Sequence, residues 1–247
     1  MPISTRTALV KSRIPGVTYA INPYLGCEHG CRYCYAVFMR KYSHGHQGSR
    51  WGDFVEVKAN IAQVLRAELA KKRTTGRVML SSVCDPYQPV ETHYRLTRQC
   101  LEVLREFGWG VDILTRSRLV TRDVDLLRSM VDLSVGFSIP TDMESVREVL
   151  EPQAPSIASR VAALRELHEA GISTWVFVAP VLPMDPVNLC RLIAPYTESV
   201  MVDALNYSSQ VAPVFRENDW AYALTAEYAR QSTGKIMKCL GKKVSRV

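Results

Sequence analysis

Apolar, β-branched runs alternate with stretches of helical period along most of the 247-residue chain. Val17–Asn22 (VTYAIN), Arg77–Val83 (RVMLSSV), Val111–Thr115 (VDILT), Leu133–Ile139 (LSVGFSI), Thr174–Val181 (TWVFVAPV) and Ser199–Leu205 (SVMVDAL) read as short, buried-type strands. Between them, apolar residues recur three and four apart over Asn60–Lys72, Leu96–Phe107, Asp123–Met130, Ile157–Ala170 and Val187–Tyr196, which predicts helices. Asn60 stands where an N-cap is expected, and Gly108 and Gly171 stand where helices stop. Further helices are expected from Tyr35 and over Trp220–Arg230.

This gives about six β/α units, the signature of parallel strands covered by helices. A doubly wound open sheet and a complete or partial barrel both fit. Both place function on the loops that follow the C-terminal ends of strands. The unusual polar residues sit there: a cysteine cluster after the first strand, Ser81 to Pro89 (SSVCDPYQP) after the second, and Thr115, Arg116 and Ser117 after the third. Ser138 ends the fourth strand, Ala179-Pro180 the fifth and Asn206-Tyr207 the sixth. Segments far apart in sequence thus converge on one rim, which argues for an enzyme. With no repeat and no low-complexity linker, one domain over residues 1–247 is expected, with its core at about 15–206. Residues 207–247 are expected to form a helical extension and a basic tail.

Composition narrows the class. Apolar residues make up 47% and charged residues 22%, as in a chain with a substantial core. No apolar run approaches a membrane span, and the N-terminus (MPISTRTALVKSR) lacks a secretory signal, so a cytoplasmic location is the expectation. Thiols stay reduced there, and clustered cysteines point to metal or redox chemistry rather than disulfides. Net charge is +7, from 31 basic and 24 acidic residues, which suits either a Lys/Arg-rich enzyme surface or an anionic partner such as nucleic acid.

Three of the seven cysteines, Cys27, Cys31 and Cys34, fall within CEHGCRYC. A structural metal site normally closes its shell with four protein ligands. Two readings fit three. A [4Fe–4S] cluster takes one thiolate per anchored iron, and this loop can touch three corners and leave the fourth iron open. Gly26 and Gly30 flank the first two ligands and permit the curl. Alternatively, His29, His44 or His46 completes a Cys3His zinc site in a non-catalytic module.

The CxxxCxxC spacing, with Tyr33 before its last cysteine, resembles the signature of the radical S-adenosylmethionine superfamily. NPYLGCEHGCRYCYA, DPYQPVE, ILTRS, DVDLL, the EPQAPS segment up to Arg160 and the Ala179-Pro180 step look like the small proteins related to spore photoproduct lyase, described as DNA-repair-photolyase-like. The resemblance covers roughly residues 10–206. It implies a partial (β/α)6 barrel of the TIM type, a [4Fe–4S] cluster on Cys27, Cys31 and Cys34, and S-adenosyl-L-methionine on the open iron. It also implies reductive cleavage to a 5′-deoxyadenosyl radical that abstracts hydrogen, with an external flavodoxin- or ferredoxin-type electron donor.

The resemblance further assigns roles. Tyr33 packs near the adenine, Ser82 and Asp85 receive the ammonium end, Arg116 pairs with the carboxylate, and Ser138 meets the carboxylate or ribose. Ala179 and Pro180 bring backbone toward the adenine. The GGE-type motif of many relatives is absent after the second strand. Cys84 departs from the threonine common at this place. The lyase has a hydrogen-donating cysteine nearby, but it aligns closer to Ser82. An S–H bond at Cys84 is still weak enough to quench a carbon radical, with Tyr87 as a relay; the alternative is packing. Glu151 and Arg160 are expected to pair, Cys100 and Cys190 to pack in the core, and His168 to be structural. The substrate is read as a DNA lesion, or alternatively a peptide or small metabolite.

Overall fold

A computed structural model describes residues 1–246; Val247, the last residue of the expected tail, lies outside the described residues. Six strands run parallel: β1 (Tyr19–Ile21), β2 (Arg77–Leu80), β3 (Gly110–Thr115), β4 (Leu133–Ser138), β5 (Ser173–Val178) and β6 (Ser199–Val202). They lie side by side in the order in which the chain makes them. That order decides between the two expected architectures. A doubly wound sheet reverses direction at a switch point. Sequential order instead sends every right-handed crossover the same way, so the helices cover one face and the other curves inward. The fold is a partial (β/α)6 barrel. Its edges are the antiparallel strand Val10–Lys11 beside β1 and β7 (Val244–Arg246) beside β6, which do not pair with each other.

Strand alternation assigns the two faces. Val78 and Leu80, Val111 and Ile113, Val176 and Val178, and Val200 and Val202 belong to the main core. Met79, Leu114, Trp175, Phe177 and Met201 take the other parity and line the interior. The outer layer includes α1 (Ile61–Leu69), α2 (Leu96–Glu106), α3 (Glu144–Leu150), α4 (Ile157–Glu169), α5 (Pro186–Ile193), α6 (Ser208–Glu217) and α7 (Ala226–Leu240). Cys100 and Cys190 are buried in this layer, as expected. Gly108 and Gly171 follow α2 and α4 with φ of +65° and +77°, the left-handed geometry of helix stops.

Four expectations are corrected. Asn60 precedes α1 but does not cap it; its side chain instead bonds Thr5 N and O at 2.8 and 3.0 Å and pins the N-terminal segment. Asp123–Met130 is a 3-10 segment (Arg118–Asp123) followed by one helical turn (Val124–Leu127). Trp220–Arg230 is broken at Thr225, whose hydroxyl accepts the Tyr228 amide at 3.1 Å and starts α7. The end of the basic tail extends the sheet as β7 rather than trailing from it.

Candidate active site

The strand ends surround a cavity of about 470 Å3. Each β/α loop named from the sequence reaches it: Cys27, Cys31, Tyr33 and Cys34 after β1, Ser82, Cys84 and Asp85 after β2, Arg116 after β3. Ser138 on β4, Ala179 and Pro180 after β5, and Asn206 and Tyr207 after β6 complete the wall.

The cysteine loop is shaped by glycine and held from outside. Gly26 has φ +98°, and a Cβ there would stand 2.3 Å from the Phe54 carbonyl oxygen, so only glycine fits. Gln88 clamps the loop: its Oε1 accepts Glu28 N at 2.9 Å and its Nε2 donates to Gly26 O at 3.2 Å. Glu28 in turn accepts the Val90 amide at 2.6 Å. The DPYQP stretch thus acts largely as a scaffold for the cysteines. Buried His29 adds a further link, with Nε2 3.1 Å from Asp85 Oδ2, although neither ring nitrogen meets hydrogen-bond geometry.

These residues fit an iron–sulfur cluster. A single ion needs its ligands around one centre. Among the described residues no group of three or more Cys, His, Asp or Glu side chains is arranged that way, which disfavours the Cys3His zinc reading. His44 is drawn off to Glu56, its Nδ1 2.9 Å from Oε2, and His46 stacks on Phe54. A cubane spreads its ligands over separate irons, and the three thiols face one cavity. Burial pushes all three thiols up, Cys31 to about 12; as cluster ligands they would give up their protons on binding.

Glu151 organises the adjoining wall. This fully buried carboxylate accepts from the Tyr33 hydroxyl, from Arg116 Nε at 2.9 Å and from buried Arg160. Burial alone would raise its pKa, but the two guanidiniums hold it down at about 2. The expected Glu151–Arg160 pair is present. Arg160 also donates from Nη1 to Ser138 O at 3.0 Å, fixing the end of β4. Arg116 lines the cavity with its Nη2 3.1 Å from the Tyr33 hydroxyl, so Tyr33 is tied to the arginine as well as to Glu151.

Two expected roles change. Asp85 lines the cavity, but Oδ1 accepts Tyr87 N (2.8 Å) and Thr115 Oγ1 (2.6 Å), and Oδ2 accepts Arg116 N (2.7 Å) beside His29. A carboxylate has about four acceptor sites; three here take protein hydrogen bonds and His29 stands against the second oxygen, so Asp85 acts first as a brace of this wall. Burial would raise its pKa, but His29, Thr115 and the Arg116 amide hold it at about 2. Tyr87 is fully buried outside the cavity wall, its hydroxyl donating to Asp123 Oδ2 at 3.2 Å, so it is no relay for the cavity.

Cys84 does reach the cavity. Its Sγ lies 3.0 Å from Ser81 Oγ, and burial pushes the thiol up to about 11, which keeps it as S–H at neutral pH. The loop that presents it hangs on Asn22, a residue with no expected role. Asn22 Oδ1 accepts Ser81 Oγ, Ser82 N and Val83 N at 2.8, 2.9 and 3.1 Å. Asn22 and Gln88 lie inside NPY and DPYQP, so the motifs held the signal; the partners were out of view.

A protein of Methanocaldococcus jannaschii without characterised function is 35% identical over 208 residues, covering 83% of this chain and 76% of that one. The radical SAM Nα-GlyT isomerase of Pseudomonas phage M6 is 31% identical over 163 residues; these cover 66% of this chain but 33% of the phage protein. Spore photoproduct lyase complexed with a dinucleoside spore photoproduct superposes with a TM-score of 0.67 at 17% identity, over 99% of this chain and 80% of the lyase, a likeness of fold. The family model of the radical SAM superfamily matches residues 21–188, a span that runs from the end of β1 through the cysteine loop into α5, and the chain belongs to that superfamily.

Proposed function

We propose that this protein reductively cleaves S-adenosylmethionine and uses the resulting radical on a nucleic-acid substrate, in a reaction of the kind that reverses a DNA lesion. The observation that carries the reading is the convergence of Cys27, Cys31 and Cys34 with Arg116, Ser138 and Ala179-Pro180 on one cavity. When bound, the cluster would supply the electron for reductive cleavage of the sulfonium. Cys27, Cys31 and Cys34 would hold the cluster. Arg116, already oriented by Glu151, would offer its remaining donors to the cofactor carboxylate. The Met79, Trp175 and Phe177 side chains give the cavity an apolar lining that would disfavour water beside a bound substrate. Cys84 Sγ–H gives its hydrogen atom to a carbon radical of the substrate, which leaves the unpaired electron on sulfur. The electron comes from an external flavodoxin- or ferredoxin-type donor, and the setting is cytoplasmic; no described helix is long and apolar enough to cross a membrane.

The nucleic-acid reading is supported by the net charge of +7, by the cavity thiol and by the fold shared with the lyase. The test is anaerobic reconstitution with iron and sulfide, followed by reductant and S-adenosylmethionine. 5′-Deoxyadenosine and methionine are the expected products. Deuterium is expected to pass into 5′-deoxyadenosine from labelled, ultraviolet-irradiated DNA. An intact sulfonium under strong reduction sinks the cleavage reading; cleavage with transfer only from a labelled peptide or metabolite sinks the nucleic-acid reading alone.

A further inference from the structure

The positive charge of the chain is concentrated at one end of the sequence. Residues 1–52 carry seven Lys and Arg against a single acid, Glu28, which leaves 24 basic against 23 acidic residues in all the rest. Nearly the whole net charge therefore resides in the segment that supplies the cysteine loop and Tyr35 of the cavity wall; Lys11 lies in the edge strand beside β1, Arg13 follows it, and Arg32, Arg40, Lys41 and Arg50 follow the first two cysteines. From His29 to Gly52 there is no acidic residue at all.

Within that segment the helix Tyr35–Tyr42 is of the 3-10 type, in which residues three apart eclipse each other. Tyr35, Phe38 and Lys41 are exposed at that spacing, while Ala36 is buried. They form one ridge leading away from the cavity mouth. Phe38 is 49% exposed and neighbouring Tyr42 56%. Lys41 Nζ sits 5.9 Å from the Phe38 ring centroid and 4.8 Å from that of Tyr42, so its ammonium meets ring faces. Half-exposed Tyr207, after β6, lines the same cavity as Tyr35. Exposed rings with a cation among them, on the positive part of a chain, are the parts of a platform that stacks bases and neutralises phosphates. A duplex buries its base faces in its own stack, whereas an unpaired strand offers them.

We infer that the Tyr35–Phe38–Lys41 ridge binds an unpaired nucleic-acid strand and feeds one of its nucleotides into the cavity between Tyr35 and Tyr207. The inference rests on the nucleic-acid reading above and names the form of the substrate and the surface that receives it.

The test uses reconstituted holoprotein without reductant, so that binding is read apart from chemistry. Fluorescence anisotropy with a labelled oligothymidylate is compared with a duplex of mixed sequence and with an acidic, tyrosine-rich peptide. The strand is expected to bind best, with an affinity that falls as salt rises. Phe38→Ala and Lys41→Glu are each expected to weaken it about tenfold. Both variants are expected to keep the cluster absorbance and the uncoupled production of 5′-deoxyadenosine in a separate assay with reductant. No strand binding, strand binding that both variants leave untouched, equal binding of the duplex, or preference for the peptide each overturns the ridge. Loss of uncoupled cleavage in the wild-type protein with strand binding intact overturns the radical reading and not the ridge.

Discussion

Arg116 Nε lies 2.9 Å from Glu151 Oε1, and buried Arg160 meets the other oxygen of the same carboxylate. One negative charge thus sets the position of two guanidiniums, one facing the cavity and one holding the end of β4. Removing one member of a buried ion network leaves the others uncompensated, at a cost of about 3–5 kcal/mol. Glu151→Gln is expected to lower denaturant stability on that scale and to weaken cofactor binding through a misplaced Arg116. Equilibrium unfolding and S-adenosylmethionine titration check this; unchanged values for both remove Glu151 from the account.

The same carboxylate fixes a pH dependence. Glu151 is held at about 2 against an ordinary 4.5, and Asp85 at about 2 against 3.8. A depressed folded pKa contributes stability that is fully present above the ordinary value and is lost as pH falls toward the folded one. Between about 4.5 and 2 the wild-type protein is expected to lose stability more steeply than the Glu151→Gln variant. Parallel melting curves across that window contradict the assignment.

Each of Cys27→Ala, Cys31→Ala and Cys34→Ala is expected to abolish cluster loading and cofactor cleavage together. Iron and sulfide content, absorbance at about 400 nm and 5′-deoxyadenosine yield are the readouts. Retained cleavage in any one of them refutes that ligand.

Gln88 is fully buried and makes two hydrogen bonds to the cysteine loop without reaching the cavity wall. Gln88→Ala leaves Glu28 N and Gly26 O without these partners, which costs about 1–3 kcal/mol for each buried group left unpaired. Faster loss of iron on chelator challenge is the expected result, with the three thiols still present. A chelation rate equal to the wild type shows that the clamp has no bearing on the metal.

Cys84→Ala removes the cavity thiol without touching a cluster ligand. Cofactor cleavage is expected to persist, while the substrate radical is quenched from other sources and yields altered products. Product analysis by mass spectrometry with a verified substrate checks this. An unchanged product distribution returns Cys84 to packing.

The cysteine loop, the six strands and the rim of polar residues were legible because each is a property of a short stretch of chain. Spacing sets which thiols one loop can present, and periodicity sets which face of an element is apolar. Tyr87 shows where that reasoning stops. It lies two residues from Asp85 in an evident motif, yet its ring turns into the core toward Asp123.

By itself the sequence determined the three clustered thiols, the β/α alternation and the strand ends at which chemistry gathers. Only the tertiary structure decided that the sheet is wound one way, that Asp85 is held by three protein hydrogen bonds, and that Glu151 meets Tyr33 across 118 residues of chain. It also decided that Asn22 and Gln88 reach partners about sixty residues away. Local spacing is written in consecutive residues, whereas a buried polar group finds its partner through strand register and helix packing, which bring together positions that no periodicity links.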